Sequence, residues 1–250
     1  MLADPILLVT CIVSVILLGL AKGGFAGIGM AATPLLALVV PPLQAAAILL
    51  PILLVQDVIS VWAYRRDWDG WNLKVMMPGA AIGIGVAWIA AAHLSDATVR
   101  LMVGLVGLAF VLNAWFGGAP KHVKQPNALK GMFWGGLSGF TSTLVQAGSP
   151  PFQVFVLPQR LAKLTFVGTN AIFFAAINVL KIVPYFSLGQ FSKPTLTASA
   201  LLLPLAIATN FLGIWLVRVT PQQLFYRIAY VLMFCISLAL TVSALRTLLA

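Results

Sequence analysis

The sequence contains no glutamate, and its only acids are five aspartates, set against fifteen lysines and arginines. Charged residues of both signs make up 8% of the chain, whereas a soluble domain carries about 25%. Such a chain cannot cover itself with a hydrated surface. With 61% apolar residues over 250 positions, it must use lipid as the solvent for much of its exterior. Its length fits one compact transmembrane domain over residues 1–250, without an extramembrane domain.

Cysteine is scarce too. Cys11 and Cys235 both lie inside apolar runs and form no CxxC pair, so they read as buried thiols rather than a disulfide or a metal site. The two histidines, His93 and His122, fall between apolar runs and lack metal-ligand spacing. No metal and no cofactor is expected. HExxH, GxSxG, a Ser/His/Asp set and a nucleotide-binding loop are all missing, which leaves a membrane-embedded enzyme as a minor alternative. The formal charge of +10 does not point to nucleic acid, because the basic residues stand singly or in pairs between apolar runs. The first twenty residues lack a basic leader and carry Asp4 instead, so they read as a retained segment rather than a cleaved signal.

What is present is a succession of apolar runs punctuated by proline, glycine and charge. Ten segments are expected: Pro5–Leu20, Pro34–Val40, Leu43–Tyr64, Leu73–Ala92, Val99–Phe116, Gly131–Phe140, Pro150–Leu157, Leu164–Tyr185, Thr195–Val217 and Leu224–Leu245. A full crossing needs about 20 residues. The second and seventh segments are far too short for one. Each follows a small-residue stretch, Lys22-Gly-Gly-Phe-Ala-Gly-Ile-Gly29 or Ser138-Gly-Phe-Thr-Ser-Thr143. A helix, a break and a half-length helix together read as a re-entrant hairpin, which membranes tolerate only inside protein or beside a cavity.

The pattern occurs twice. Thr33-Pro34 and Ser149-Pro150 stand 116 residues apart, as do Pro42 and Pro158, while Asp57 aligns with Asn178 and Tyr64 with Tyr185 at a spacing of 121. The chain therefore reads as two repeats, about residues 5–116 and 130–249, each opening with a broken hairpin. Lysine and arginine set the orientation. Ten of them (Arg65, Arg66, Lys74, Lys121, Lys124, Lys130, Arg160, Lys163, Arg218, Arg227) fall on one side. Four (Arg100, Lys181, Lys193, Arg246) fall on the other, with Lys22 left uncounted at a hairpin tip. The excess places both termini outside and gives the two halves opposite orientations, as in transporters built from inverted repeats.

Thr33-Pro34 and Ser149-Pro150 have the form of an N-cap followed by proline at the first helical position. Two half-helix N-termini meeting at the midplane would attract a negative solute. Thr141, Ser142, Thr143, Gln146 and Gln153 add polar groups nearby, and Gly23, Gly24, Gly27, Gly29, Gly139 and Gly148 permit close approach of a ligand or, alternatively, of packed helices. Lys22 reads either as an anion ligand or as a snorkelling interfacial lysine. Asp57, the one acid deep in a long apolar run, is either a structural counter-ion or a proton carrier. Asn178 and Lys181 occupy the corresponding run of the second half as polar glue or cavity lining.

The stretch Leu20-Ala-Lys-Gly-Gly-Phe-Ala-Gly-Ile-Gly-Met-Ala-Ala-Thr-Pro-Leu-Leu36, with Pro41-Pro-Leu-Gln-Ala-Ala-Ala47 and Tyr64-Arg-Arg66, resembles the first half of the sulfite exporter TauE/SafE family. Gly135-Gly-Leu-Ser-Gly139, Gly168-Thr-Asn170, Asn178-Val-Leu-Lys181 and Tyr185 resemble its second repeat, so the likeness spans nearly the whole chain. It implies a multi-pass permease of the bacterial inner membrane for small sulfur-containing anions, sulfite or organosulfonates, an anion channel of the same fold being the alternative. Thr141-Ser-Thr-Leu-Val-Gln146 departs from the family pattern, standing where a glycine-rich run is expected, and implies a more polar, hydroxyl-lined pocket. The expected partners are thus a small anionic substrate and the lipid bilayer.

Overall fold

The computed structural model describes residues 4–25, 29, 32–36, 39–40, 42–90, 95–116, 127–187 and 191–249, and among them it is helical without a strand. The first half comprises α1 (Pro5–Gly23), α2 (Ala32–Leu36), α3 (Pro42–Tyr64), α4 (Gly70–Ala90) and α5 (Asp96–Phe116). The second comprises α6 (Ala128–Val145), α7 (Ser149–Val156), α8 (Lys163–Leu180), α9 (Ile182–Ser187), α10 (Lys193–Val219) and α11 (Gln222–Leu249). Among the described residues, six stretches are long and apolar enough to cross a membrane: α1, most of α3, α4, α8 with α9, α10 and most of α11. The chain is a polytopic helical membrane protein.

The exterior is apolar, unlike that of a water-soluble protein, and the interior holds polar groups as well as apolar clusters. Ile6, Ile89, Phe116, Leu129, Val183, Phe186 and Trp215 are exposed on the helix exteriors, where they face lipid. Gln56, Asp57, Ser60, Asn178, Lys181 and Asn210 are buried inside the bundle. Trp62, Trp68 and Trp71 are exposed around Arg65 and Arg66, as an aromatic belt at a membrane–water interface requires.

Helix pairing is dictated by glycine. At Gly79 and Gly83 of α4, an added Cβ would lie 2.0 Å from the carbonyl oxygens of Met132 and Gly136 on α6, so these backbones touch directly. Gly23 of α1 meets Gly213 of α10 in the same way, an added Cβ coming within 2.4 Å of backbone. The closest pairings are α4 with α6, α5 with α11, α1 with α10 and α3 with α10, followed by α3 with α8.

Three local features differ from the sequence expectation. The Ser138–Thr143 stretch is helix rather than break, because Thr141 and Thr143 return their hydroxyls to the carbonyls of Leu137 and Gly139 four residues back. The break falls later, at Gln146–Gly148. Thr33 and Ser149 are not N-caps: Thr33 lies inside α2, and α7 is capped by Gly148, where an added Cβ would approach Ser138 and Ser142 to 2.8 Å. The long eighth segment is interrupted at Lys181, because Pro184 has no N–H to bond the Leu180 carbonyl and so ends the helix there. The expected break at Gly27 lies outside the described residues, whereas Gly24 beside it leaves the helix at φ 138°.

Gly83→Val is expected to lower stability by about 1–3 kcal/mol, the usual cost of overpacking a close-packed interior. Gly85→Ala, on the same helix with nothing within 4 Å of the new methyl, should be neutral or raise stability by up to roughly 1 kcal/mol through helix propensity. Thermal unfolding in detergent reads both.

Candidate functional site

At the core of the bundle, α1, α3 and α8 are tied by a single carboxylate. Asp57 on α3, 3% exposed, accepts from the Lys22 ammonium of α1 at 2.5 Å and from the Asn178 amide of α8 at 2.6 Å. The Lys22 ammonium also lies 5.9 Å from the centre of the Phe174 ring. Two more bonds from α3 secure the end of α1. Ser60 donates to the Lys22 carbonyl at 2.9 Å and Tyr64 donates to that of Gly23 at 2.5 Å. These carbonyls belong to the last turn of α1 and have no helical partner of their own.

Lys181 forms a second cationic centre. It is fully buried, and its ammonium donates to the Gln146 side-chain oxygen at 2.7 Å, the Ser142 hydroxyl at 3.2 Å and the Ser142 carbonyl at 3.4 Å. All three partners are neutral, and three oxygens match the three hydrogens of an ammonium. Gln146 reaches this position because its backbone is left-handed, φ 55° and ψ 26°, at the C-cap of α6. That conformation costs a non-glycine residue roughly 1–2 kcal/mol, and such strain persists where the surroundings require it.

Lys22 lines a cavity of about 80 Å³, and Lys181 backs it through Ser142 and Gln146. One water needs roughly 10–15 Å³ of such space, so a solute of a few heavy atoms fits. Lys22, Gly29, Thr33, Ser142, Gln146, Gly148, Ser149 and Asn178 line it, together with Asn170, Phe174, Leu18, Ala21 and Leu53. Its polar wall is rich in hydrogen-bond donors, and its one nearby acid is already bonded to Lys22 and Asn178. The Asn170 side-chain oxygen, 6% exposed as a residue, has no partner among the described residues. Oxygen and nitrogen of an amide are told apart only by their bonds, so this carboxamide is free to turn its N–H groups into the cavity.

The family scan matches residues 11–240 to the model described as Sulfite exporter TauE/SafE. The chain belongs to the sulfite exporter TauE/SafE family. It is therefore a membrane permease of a family of sulfur-anion exporters. No curated protein and no solved structure matches it.

The other described residues singled out in the sequence lie outside the cavity lining. Gly23 and Gly24 serve packing: Gly23 meets the Gly213 backbone, and at Gly24 an added Cβ would reach Val217 at 2.6 Å. Gly139 packs against the Ala80 carbonyl. Thr141 and Thr143 satisfy backbone carbonyls, Thr141 bridging Leu137 and Ala147 across the break. Gln153, 1% exposed, donates to the Ser149 hydroxyl at 3.2 Å from behind the cavity wall. Asp57 and Lys181 stand behind the lining and hold Lys22, Asn178, Ser142 and Gln146. Lys181, counted from sequence as a charge on the outer side, is instead interior. Gly27 is outside the described residues. Sequence reasoning missed Asn170 and Phe174, although with Asn178 they recur every four residues along one face of α8, a periodicity that was available.

Lys22→Met should destabilise the protein by about 3–5 kcal/mol, the usual result of stranding one member of a buried ion pair. Lys22→Met combined with Asp57→Asn should lose less, because neither member of the pair is left as a stranded charge. Unfolding of both variants in detergent checks the order, and a double variant less stable than the single would contradict it.

Proposed function

We propose that this permease is a carrier that exports sulfite or a small organosulfonate across the bacterial inner membrane and binds the anion in the central cavity. The observation that carries this reading is the buried Lys181 ammonium, bonded only to neutral oxygens, directly behind a cavity wall of amides and hydroxyls. A buried charge without a counter-charge is expensive in a membrane. An anion arriving in the cavity supplies that counter-charge.

The half-helices contribute less than their sequence pattern implies. Among the described residues α2 spans five and α7 eight, so their aligned dipoles are short, and neither Thr33 nor Ser149 is a cap. Both residues instead line the cavity. The two-repeat arrangement is part of the same proposal. In its support, Ser60 and Tyr64 bond the Lys22 and Gly23 carbonyls, while Lys181 and Tyr185 bond those of Ser142 and Thr143 at the corresponding place in the second half. The pairing of α4 with α6 likewise mirrors that of α1 with α10.

Export of an anion from an inside-negative cell is downhill by about 2.3 kcal/mol per charge per 100 mV. Asp57, locked between Lys22 and Asn178, acts as a counter-ion rather than as a proton carrier. In proteoliposomes clamped with potassium and valinomycin, sulfite or sulfonate flux should follow the imposed potential, and unlabelled anion should drive counterflow of the labelled one. Flux blind to potential would refute electrogenic export, and flux without counterflow would indicate a channel.

Both termini are proposed to face the periplasm. The Lys/Arg excess that motivates this grows to ten against three once the buried Lys181 is removed from the outer side. A C-terminal alkaline phosphatase fusion should be active in cells, and a silent fusion with an active cytoplasmic reporter would reverse the topology.

A further inference from the structure

We infer that the site selects singly charged anions over doubly charged ones, and that three buried residues set this preference by their charge count. The inference rests on the central cavity being the anion site. Among the described residues that line or directly back the cavity, three carry charge: Lys22, Asp57 and Lys181. Lys22 and Asp57 cancel at 2.5 Å. Lys181 has only neutral partners, so in its protonated form, which an anion in the cavity favours, it gives the site one net positive charge.

A monoanion brings that site to neutrality. A dianion leaves one negative charge buried among apolar helices, where no counter-ion reaches it. Desolvation weighs in the same direction, since the cost of removing an ion from water grows with the square of its charge while attraction to the site grows only linearly. The surroundings offer no relief. Leu18, Ala21, Leu53 and Phe174 complete the wall, and the amides and hydroxyls donate hydrogen bonds but no charge. The cavity of about 80 Å³ also favours a compact head with at most a short tail. The transported species is accordingly hydrogensulfite rather than sulfite, and a monosulfonate rather than a disulfonate or a sulfocarboxylate.

Methanesulfonate and sulfate are the probes. They are tetrahedral, nearly equal in size, fixed in charge at neutral pH, and differ by one unit of charge. Calorimetric titration of the full chain in nanodiscs at matched ionic strength should show methanesulfonate bound at least about tenfold more tightly, because the added desolvation cost of the second charge exceeds its added attraction to the site. Asp57→Asn raises the site to two positive charges and should shift the ratio toward sulfate. Lys181→Gln lowers it to zero and should weaken both ions, sulfate more. Lys22→Met with Asp57→Asn leaves the net charge unchanged and should keep the preference for methanesulfonate at reduced affinity. If Asp57→Asn alone does not fold, the other two variants carry the test. Sulfate binding to the native chain as tightly as methanesulfonate, or a ratio unmoved in every variant, would overturn the charge rule while leaving the anion site standing. Binding of neither ion to the native chain would overturn both.

Discussion

The arrangement depends on one buried carboxylate. Asp57 lies deep in α3, and lipid on the outside of the bundle offers it nothing to bond. It is tolerable only because Lys22 and Asn178 approach from α1 and α8. That requirement fixes which helices surround α3 and at what height. It also fixes the end of α1, since Lys22 sits in its last turn and Ser60 and Tyr64, one and two turns beyond Asp57, bond the carbonyls that the helix end leaves open. A chain with five acids places one of them at its centre and builds the break in α1 around it.

Broken helices at membrane depth raise a second demand, that every exposed carbonyl find a donor. The hydroxyl-rich sequence answers it. Ser14 bonds the Ala32 carbonyl, Ser138 that of Gly148, and Thr141 that of Ala147, at 3.0, 2.7 and 3.0 Å. Hydroxyls that look like ligand groups in the sequence are thus divided between two tasks. Thr141 and Thr143 hold the backbone, while Ser149 and Thr33 face the cavity and Ser142 both faces it and accepts from Lys181. Glycine is divided in the same way. Gly79, Gly83 and Gly213 let backbones touch, and among the described glycines singled out only Gly29 and Gly148 border the cavity.

Much of the fold was legible because lipid imposes simple rules. Segment lengths, the shortness of α2 and α7, and the aromatic and arginine cluster after Tyr64 follow from apolar run length and charge placement alone. What was not legible is local competition. Ser138–Thr143 has the composition of a break, but its threonines bond backward along the helix and keep it intact to Val145. Ser149-Pro150 has the form of a cap, but the approach of α6 forces glycine into the cap position and shifts the helix start. Lys181 reads from sequence as polar glue or cavity lining within the eighth segment, yet is also tallied with the outer charges. Its burial depends on Pro184 three residues later and on a left-handed Gln146 thirty-five residues earlier, a conjunction that spacing does not reveal.

On the proposed two-repeat arrangement, the chemistry of the site comes from the places where the halves disagree. Tyr64 and Tyr185 hold equivalent positions and make equivalent bonds, to the carbonyls of Gly23 and Thr143. Asp57 corresponds to Asn178, 121 residues on, and Ser60 corresponds in the same way to Lys181. Two aspartates there would face each other across α3 and α8 with one lysine between them. Two asparagines would leave Lys22 without its counter-ion. One of each gives the carboxylate both a cation and an amide. Replacing the serine by lysine in the second half keeps the bond to the helix-end carbonyl and adds the charge that the first half lacks. The backbone symmetry therefore builds the cavity, and the broken side-chain symmetry gives it a sign.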